Sequence, residues 1–308
     1  MIVITTPTGN IGHQVLAHVL AAGQAVRVIA RDPARLPGDV RDRVEVVQGS
    51  HGDPRVVTQA LAGADALFWL PPGDVRAAHI DDGFTGFTRP AAEALREQGV
   101  KRVVSVSALG RGTPYAGRAG HVTASLAMDD LIAGTGVALR ALANASFMEN
   151  LLRQVTAIKE HGAFSDITPA DLRGPVVATR DIAAVAARLL LDGAWTGQEE
   201  VPLLGPEDLS PDDMAAIMST VLGFEVRYER IPAQALKDRL LAAGVSAAVA
   251  QSMIDMMSAK EHGIDLGVPR TPQHALDAPT TFHQWCTDTL KPAVDAAPSG
   301  EQGPASRG

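Results

Sequence analysis

Residues 1–20 read MIVITTPTGNIGHQVLAHVL, and how they are read decides the fold. Residues 2–5 are a short β-branched run and residues 6–12 a turn-rich loop. From there the apolar residues Ile11, Val15, Leu16, Val19 and Leu20 share one helical face. Strand, glycine loop and helix in that order present unpaired backbone N–H groups and the positive end of a helix to an anion, usually a phosphate. Gly9 and Gly12 let the backbone come close, and a third glycine would complete the dinucleotide fingerprint at position 6, where Thr6 stands. The alternative is a tight strand-to-helix turn that binds nothing.

Working outward, Gly23 ends the first helix and residues 25–30 (AVRVIA) make a second strand, followed at once by Arg31, Asp32 and Pro33. Asp32 suits a helix N-cap and Pro33 the first helical position. In a dinucleotide site the end of this strand selects the cofactor: a carboxylate bonds the ribose 2′-hydroxyl, whereas arginine accommodates a 2′-phosphate. Arg31, with Arg35 one turn on, favours NADPH over NADH; the alternative is an arginine beside an aspartate as a solvated pair. Residues 44–48, 66–70 (ALFWL), 102–107 (RVVSVS) and 137–142 read as further strands, with helices at 54–61, 84–98 and 117–132. Strands alternating with helices require right-handed crossovers, hence an α/β fold with a Rossmann-type, doubly wound parallel sheet. The expected cofactor contacts are Thr6, Thr8, Gly9, Asn10, Ile11, Gly12, Arg31, Arg35, Leu70 and Pro71.

Past residue 142, residues 143–150 (ANASFMEN) lead into a helix through 158, and residues 176–192 read as an apolar-faced helix that packs back on the sheet. Short strands at 201–204 and 225–230, with helices at 211–222, 233–243 and 247–262, make a smaller α+β C-terminal lobe, and a last helix covers 282–290. The expected organisation is a dinucleotide-binding domain over 1–150, a substrate-cleft lobe over 151–292, and a disordered tail over 293–308 rich in Ala, Ser, Gly and Pro.

Composition narrows the function. A formal charge of −8 with no basic stripe argues against nucleic acid as a partner, because neutralising phosphates requires clustered Lys and Arg. Cys286 is the only cysteine, so no intramolecular disulfide can form. No apolar run reaches membrane-spanning length and no signal-like segment opens the chain, so the expectation is a soluble cytoplasmic protein with no membrane partner. His13, His18, His51 and His79 lack partners at ligand spacing, so no metal is expected. Met253, Met256 and Met257 fall at helical spacing and read as packing or a homodimer contact.

With these residues in view the chain resembles the NmrA-like, atypical branch of the short-chain dehydrogenase/reductase family, and within it the NADPH-dependent quinone oxidoreductases and triphenylmethane reductases. The resemblance covers the chain to about residue 290. It rests on TTPTGNIG from Thr5, VIARDPARL from Val28, VKRVVSVSALG from Val100, GRAGHVTASLAMDDLIAGTGV from Gly117 and SFMENLL from Ser146, and on HGAF from His161, ATRDIAAVAARLL from Ala178 and LGPEDLSPDDMAAIMSTVLG from Leu204. The family usually carries Gly at Thr6, an acidic residue at Ser50 and Arg at Ala143, so the adenine contacts and part of the substrate wall differ here. The resemblance implies NADPH more firmly than a reaction, since the branch holds both reductases and NADP-binding proteins without turnover.

Ordinary short-chain dehydrogenases protonate a carbonyl with a serine at the end of the fifth strand and a tyrosine followed four residues on by lysine. Ser107 occupies the serine place, but four residues after Tyr115 stands Ala119, and Tyr228 lies in the second lobe. A hydride delivered to a simple ketone needs a local acid. A quinone instead yields a phenol-like oxide, with a conjugate acid of pKa about 10, that water protonates. The expected activity is therefore NADPH-dependent reduction of a small quinone-like or otherwise electron-poor molecule, with Asn144, His121 and Ser107 at the catalytic site and Phe147 and Asn150 beside it. Asn144, which the resemblance matches to a site asparagine, orients a substrate oxygen or caps the next helix. His121 is a site residue or a packing residue. A non-catalytic NADP(H) sensor and a natural-product reductase or isomerase are the alternatives.

Overall fold

The computed structural model describes residues 1–298. Seven strands form one parallel sheet: β1 (Ile2–Ile4), β2 (Val26–Ala30), β3 (Glu45–Gln48), β4 (Ala66–Trp69), β5 (Arg102–Ala108), β6 (Ala138–Asn144) and β10 (Gln198–Leu203). Their spatial order is β10-β6-β5-β4-β1-β2-β3, so the chain runs outward from β1 in both directions. The crevice of such a sheet opens at the carboxyl ends of β1 and β4, where the order reverses. Thr5 ties the two strands there: its Oγ1 donates to the Phe68 carbonyl at 3.0 Å and accepts from the Leu70 amide at 3.0 Å.

The helices between the strands are α1 (Asn10–Ala21), a single turn α2 (Gly38–Arg41), α3 (Pro54–Leu61), α4 (Thr85–Gln98) and α5 (His121–Ala133). Ile11, Val15, Leu16 and Val19, the face read from the sequence, pack into the same core as Ile4, Val28 and Phe68 of the sheet. On the opposite face Val57 and Leu61 of α3, Leu95 of α4 and Met128 and Ile132 of α5 enclose Val3, Leu67 and Val103. Alternate residues of the buried strands feed the two faces, so the apolar strands are nearly continuous rather than alternating.

The remaining elements are β7 (Ser146–Phe147), α6 (Val155–His161), β8 (Ala163–Asp166), β9 (Gly174–Val177), α7 (Thr179–Leu191), β11 (Asp208–Leu209), α8 (Pro211–Leu222), β12 (Arg227–Arg230), α9 (Ala233–Ala242), α10 (Ala247–Glu261), α11 (Pro272–Asp277), α12 (Phe282–Trp285) and, past a π-helical turn, α13 (Lys291–Ala296). Phe164, Met218, Phe282, Trp285 and Leu290 build a separate core for them. Helix α7 returns to the main sheet beside α1, placing Ile182, Val185 and Ala186 in its core.

Several local expectations are corrected. The strand expected in the second lobe at 201–204 is β10, which pairs parallel with β6 at the edge of the main sheet. Residues 174–177, the last two of them read as helix, form a strand against β7 and β11, and 163–166 pair with β12. Single-strand hydrophobicity carries no information on the partner. Helix α5 starts at His121 rather than 117 because Gly120 has φ +53° and its backbone lies against α10, where an added Cβ would fall 2.0 Å from the Ser252 carbonyl. Residues 293–296 are helical rather than disordered, since Val294 is buried and Lys159 Nζ donates to the Asp295 carbonyl at 3.2 Å. The rest of the expected tail, from residue 299, lies outside the described residues.

Candidate functional site

A groove of about 500 Å³ runs along the carboxyl ends of β1 and β2 and is lined by Thr6, Thr8, Gly9, Arg31, Arg35 and His51, among others. Asn10, Ile11 and Gly12 open α1 beside it, and no side chain caps that helix, so its first N–H groups face the groove end without an internal acceptor. Thr6 adopts φ +49°, a left-handed conformation that β-branched residues avoid, which is the geometric reason for glycine at this place in the resembling family. Its Oγ1 is buried with no hydrogen-bond partner. An orphaned hydroxyl, an uncapped helix end and close-lying glycines together fit a pyrophosphate.

Gly12 serves the packing of the loop itself. A Cβ there would sit 2.0 Å from the Thr6 carbonyl oxygen, so the residue lets α1 pack under the loop before any ligand arrives.

At the far end, Arg31 and Arg35 are exposed, and neither takes part in an ion pair among the described residues. Asp32 is committed to the turn, accepting the Ala34 amide on Oδ1 at 3.0 Å as N-cap of the 3₁₀ turn Pro33–Arg35. The guanidinium groups are thus available to an anion, while the carboxylate is partly engaged. Leu70 contributes its carbonyl, which accepts from His51 Nε2 at 3.1 Å, and Pro72 rather than the buried Pro71 lines the groove. His51, not foreseen as a site residue, packs edge-on against Trp69 and Phe87, and burial lowers its pKa to about 4, keeping it neutral.

The three residues expected to be catalytic are placed apart from this groove. Ser107 is buried and its hydroxyl donates to Asp129 Oδ2, while Ser105 donates to the other oxygen of the same carboxylate at 2.7 Å. Burial pushes the Asp129 pKa up to about 6. Asn144 ends β6 and caps no helix; its Nδ2 donates to the carbonyls of Ser107 at 3.0 Å and Leu142 at 2.7 Å, leaving Oδ1 buried without a partner. Both amide hydrogens are therefore used within the protein, and what remains is an acceptor. His121 bonds Ser252 through Nδ1 at 2.8 Å and meets Phe84 edge-on, bridging α5 to α10. Phe147 and Asn150 line a second cavity of about 230 Å³, together with Phe164, Tyr228, Met256 and Met257. Met256 and Met257 thus border a cavity, a role that helical spacing alone did not distinguish from packing.

Neither tyrosine has the features of an activated acid. Tyr115 lies over Arg118 at 5.3 Å and beside His262. Tyr228 donates its hydroxyl to the Thr168 carbonyl at 2.6 Å, and burial together with Asp166 raises its pKa, the reverse of what proton donation needs.

Residues 7–193 match the model of the NAD(P)H-binding family. The chain belongs to that family. Within it, the chain is 28% identical over 291 residues to the (4-alkanoyl-5-oxo-2,5-dihydrofuran-3-yl)methyl phosphate reductase of Streptomyces griseus, covering 94% of this chain and 97% of that protein. It is 27% identical over 258 residues to quinone oxidoreductase 2 of Escherichia coli, covering 83% and 86%. The structure of the Escherichia coli NADPH-dependent quinone oxidoreductase with NADPH superposes with a TM-score of 0.76 at 23% identity, over 96% of this chain and 99% of that one, and so shares the fold. The chain is an NAD(P)H-dependent oxidoreductase, and the groove at the glycine loop is where its residues fit the cofactor. Among the described residues no group of three or more His, Cys, Asp or Glu is placed to hold a metal, and no helix is long and apolar enough to cross a membrane.

Proposed function

We propose that this oxidoreductase delivers a hydride from NADPH to a quinone-like or similarly conjugated, electron-poor small molecule, without a tyrosine–lysine acid pair. The observation that carries this reading is a dinucleotide groove on the main sheet together with a cavity in the second lobe whose one tyrosine donates its hydroxyl to a main-chain carbonyl. The bound dinucleotide supplies the hydride. The α1 N-terminus, Thr6 and the glycine loop hold its pyrophosphate, and Arg31 with Arg35 reads the 2′-phosphate.

A conjugated acceptor places the incoming electron pair on an oxygen whose conjugate acid is phenol- or enol-like, so solvent completes the reduction. The names of the two relatives, a quinone oxidoreductase and a reductase of an unsaturated lactone, fit that chemistry. The protein's contribution is orientation of two bound molecules in a water-poor cleft. The test is NADPH consumption followed at its absorbance with a panel of benzoquinones and naphthoquinones. Turnover well above the uncatalysed rate supports the proposal, and tight NADPH binding with no turnover across quinones, enones and imines makes the chain a cofactor sensor.

A further inference from the structure

The second cavity combines apolar and polar walls. Phe147, Phe164, Met256, Met257 and Leu266 contribute apolar lining, Arg173 lines it while paired with Asp213, and Asp166, Lys260 and Asp265 are its other charged residues. Asp265 is only 8% exposed. Its Oδ2 is held by the Lys260 ammonium, whereas its Oδ1 is buried and has no hydrogen-bond partner among the described residues. A buried carboxylate oxygen left without a donor costs free energy that the fold has no internal means of recovering. Asp166 adds a second carboxyl, with one oxygen accepting the Ile167 amide at 2.6 Å. Asp265 Oδ1 is thus the unmatched acceptor that this group of three leaves.

We propose that Asp265 Oδ1 is the acceptor that recognises a hydrogen-bond donor on the substrate, so that the cavity selects small conjugated acceptors carrying an amino or hydroxyl group. This rests on the reductase reading above and assigns it a substrate class and a specificity residue. At about 230 Å³ the cavity lies below the usual range of roughly 300–1,000 Å³ for drug-sized ligands, which limits the substrate to about two fused rings. The polar preference follows from the same argument that lets a site built around a buried polar group reject an analogue lacking its partner.

The test uses binding, so that it does not depend on turnover. Calorimetry on the full chain saturated with NADP⁺ compares 2-amino-1,4-naphthoquinone with its near-isostere 2-methyl-1,4-naphthoquinone. A bond to a charged acceptor predicts about tenfold or greater preference for the amino compound. In Asp265→Asn, where the amide oxygen can stay with Lys260 and the remaining atom becomes a donor, the preference should fall to within about twofold, while Lys260→Gln keeps it. Equal binding of the two quinones to the wild-type protein overturns the proposal, as does a preference that survives in Asp265→Asn, or failure of either quinone to bind. The wild-type comparison decides by itself even where Asp265→Asn does not fold. NADPH oxidation by 2-methyl-1,4-naphthoquinone, measured separately, tests the reductase reading.

Discussion

Thr6 carries a β-branched side chain at φ +49° with its hydroxyl buried and unpaired, and each feature costs stability in the absence of a ligand. Thr6→Gly should therefore raise the unfolding free energy by about 1 kcal/mol, read from urea denaturation; an unchanged or lower midpoint would show that the loop stores no strain there. Gly12→Ala should act in the opposite sense. Its Cβ would lie 2.0 Å from the Thr6 carbonyl, so the loop or α1 must move, and a loss of about 3 kcal/mol together with weakened NADPH binding is expected from the same titration and from calorimetry. The role proposed for Arg31 is to select the dinucleotide. With Asp32 engaged by the Ala34 amide, the wild type should bind NADPH about ten- to a hundredfold more tightly than NADH. Arg31→Ala should shrink that ratio, with Arg35 retaining part of it. Equal dissociation constants for the two cofactors in the wild type would remove Arg31 from the site.

At the scale of elements, the contact of α5 with β5 turns on Asp129, whose two oxygens accept from Ser105 and Ser107 in a buried setting. Its folded pKa of about 6 stands above the ordinary carboxylate value of 3.8, because burial disfavours the charge more than the two hydroxyls favour it. A raised acid pKa gives stability that is fully present below pH 4 and is lost as pH rises through 6, since in that window the folded state binds more protons than the unfolded one. Two units correspond to about 3 kcal/mol. Asp129→Asn should remove that slope, so that its unfolding free energy relative to wild type rises between pH 4 and 7. Parallel profiles for the two proteins would contradict the shift.

For the molecule as a whole, cofactor binding should couple to global stability, because a ligand bound only by the folded chain must leave before the chain unfolds. NADPH at a hundred times its dissociation constant should add about 2.7 kcal/mol to the unfolding free energy, visible as a rise in Tm, and NADH at the same concentration should add less. Absence of any shift would show that NADPH does not bind the folded chain in preference to the unfolded one. The second lobe reaches this sheet through continuous chain on both sides of α7, whose N-terminal amide at Thr179 is held by Glu149 at 3.0 Å, while the same carboxylate accepts from Trp285 Nε1 at 3.1 Å.

What the sequence by itself determined is local and periodic. The strand, glycine loop and helix of residues 1–20, the alternation that forces a parallel sheet, the N-cap at Asp32 and the helix Pro211–Leu222 all depend on neighbours a few positions away, so their signals survive in one dimension. Tertiary structure alone decided the rest. β10 joined the main sheet because β6 offered an open edge, which no property of residues 198–203 announces. Ser107 turned its hydroxyl to Asp129, 22 residues away, and Asn144 gave an amide hydrogen to the Ser107 carbonyl, 37 residues away, because these partners come from elements that meet only on folding. Asp265 stands out only once a lobe closes over it, since a carboxylate becomes a distinct chemical group when water is taken from it and one oxygen is left unmatched.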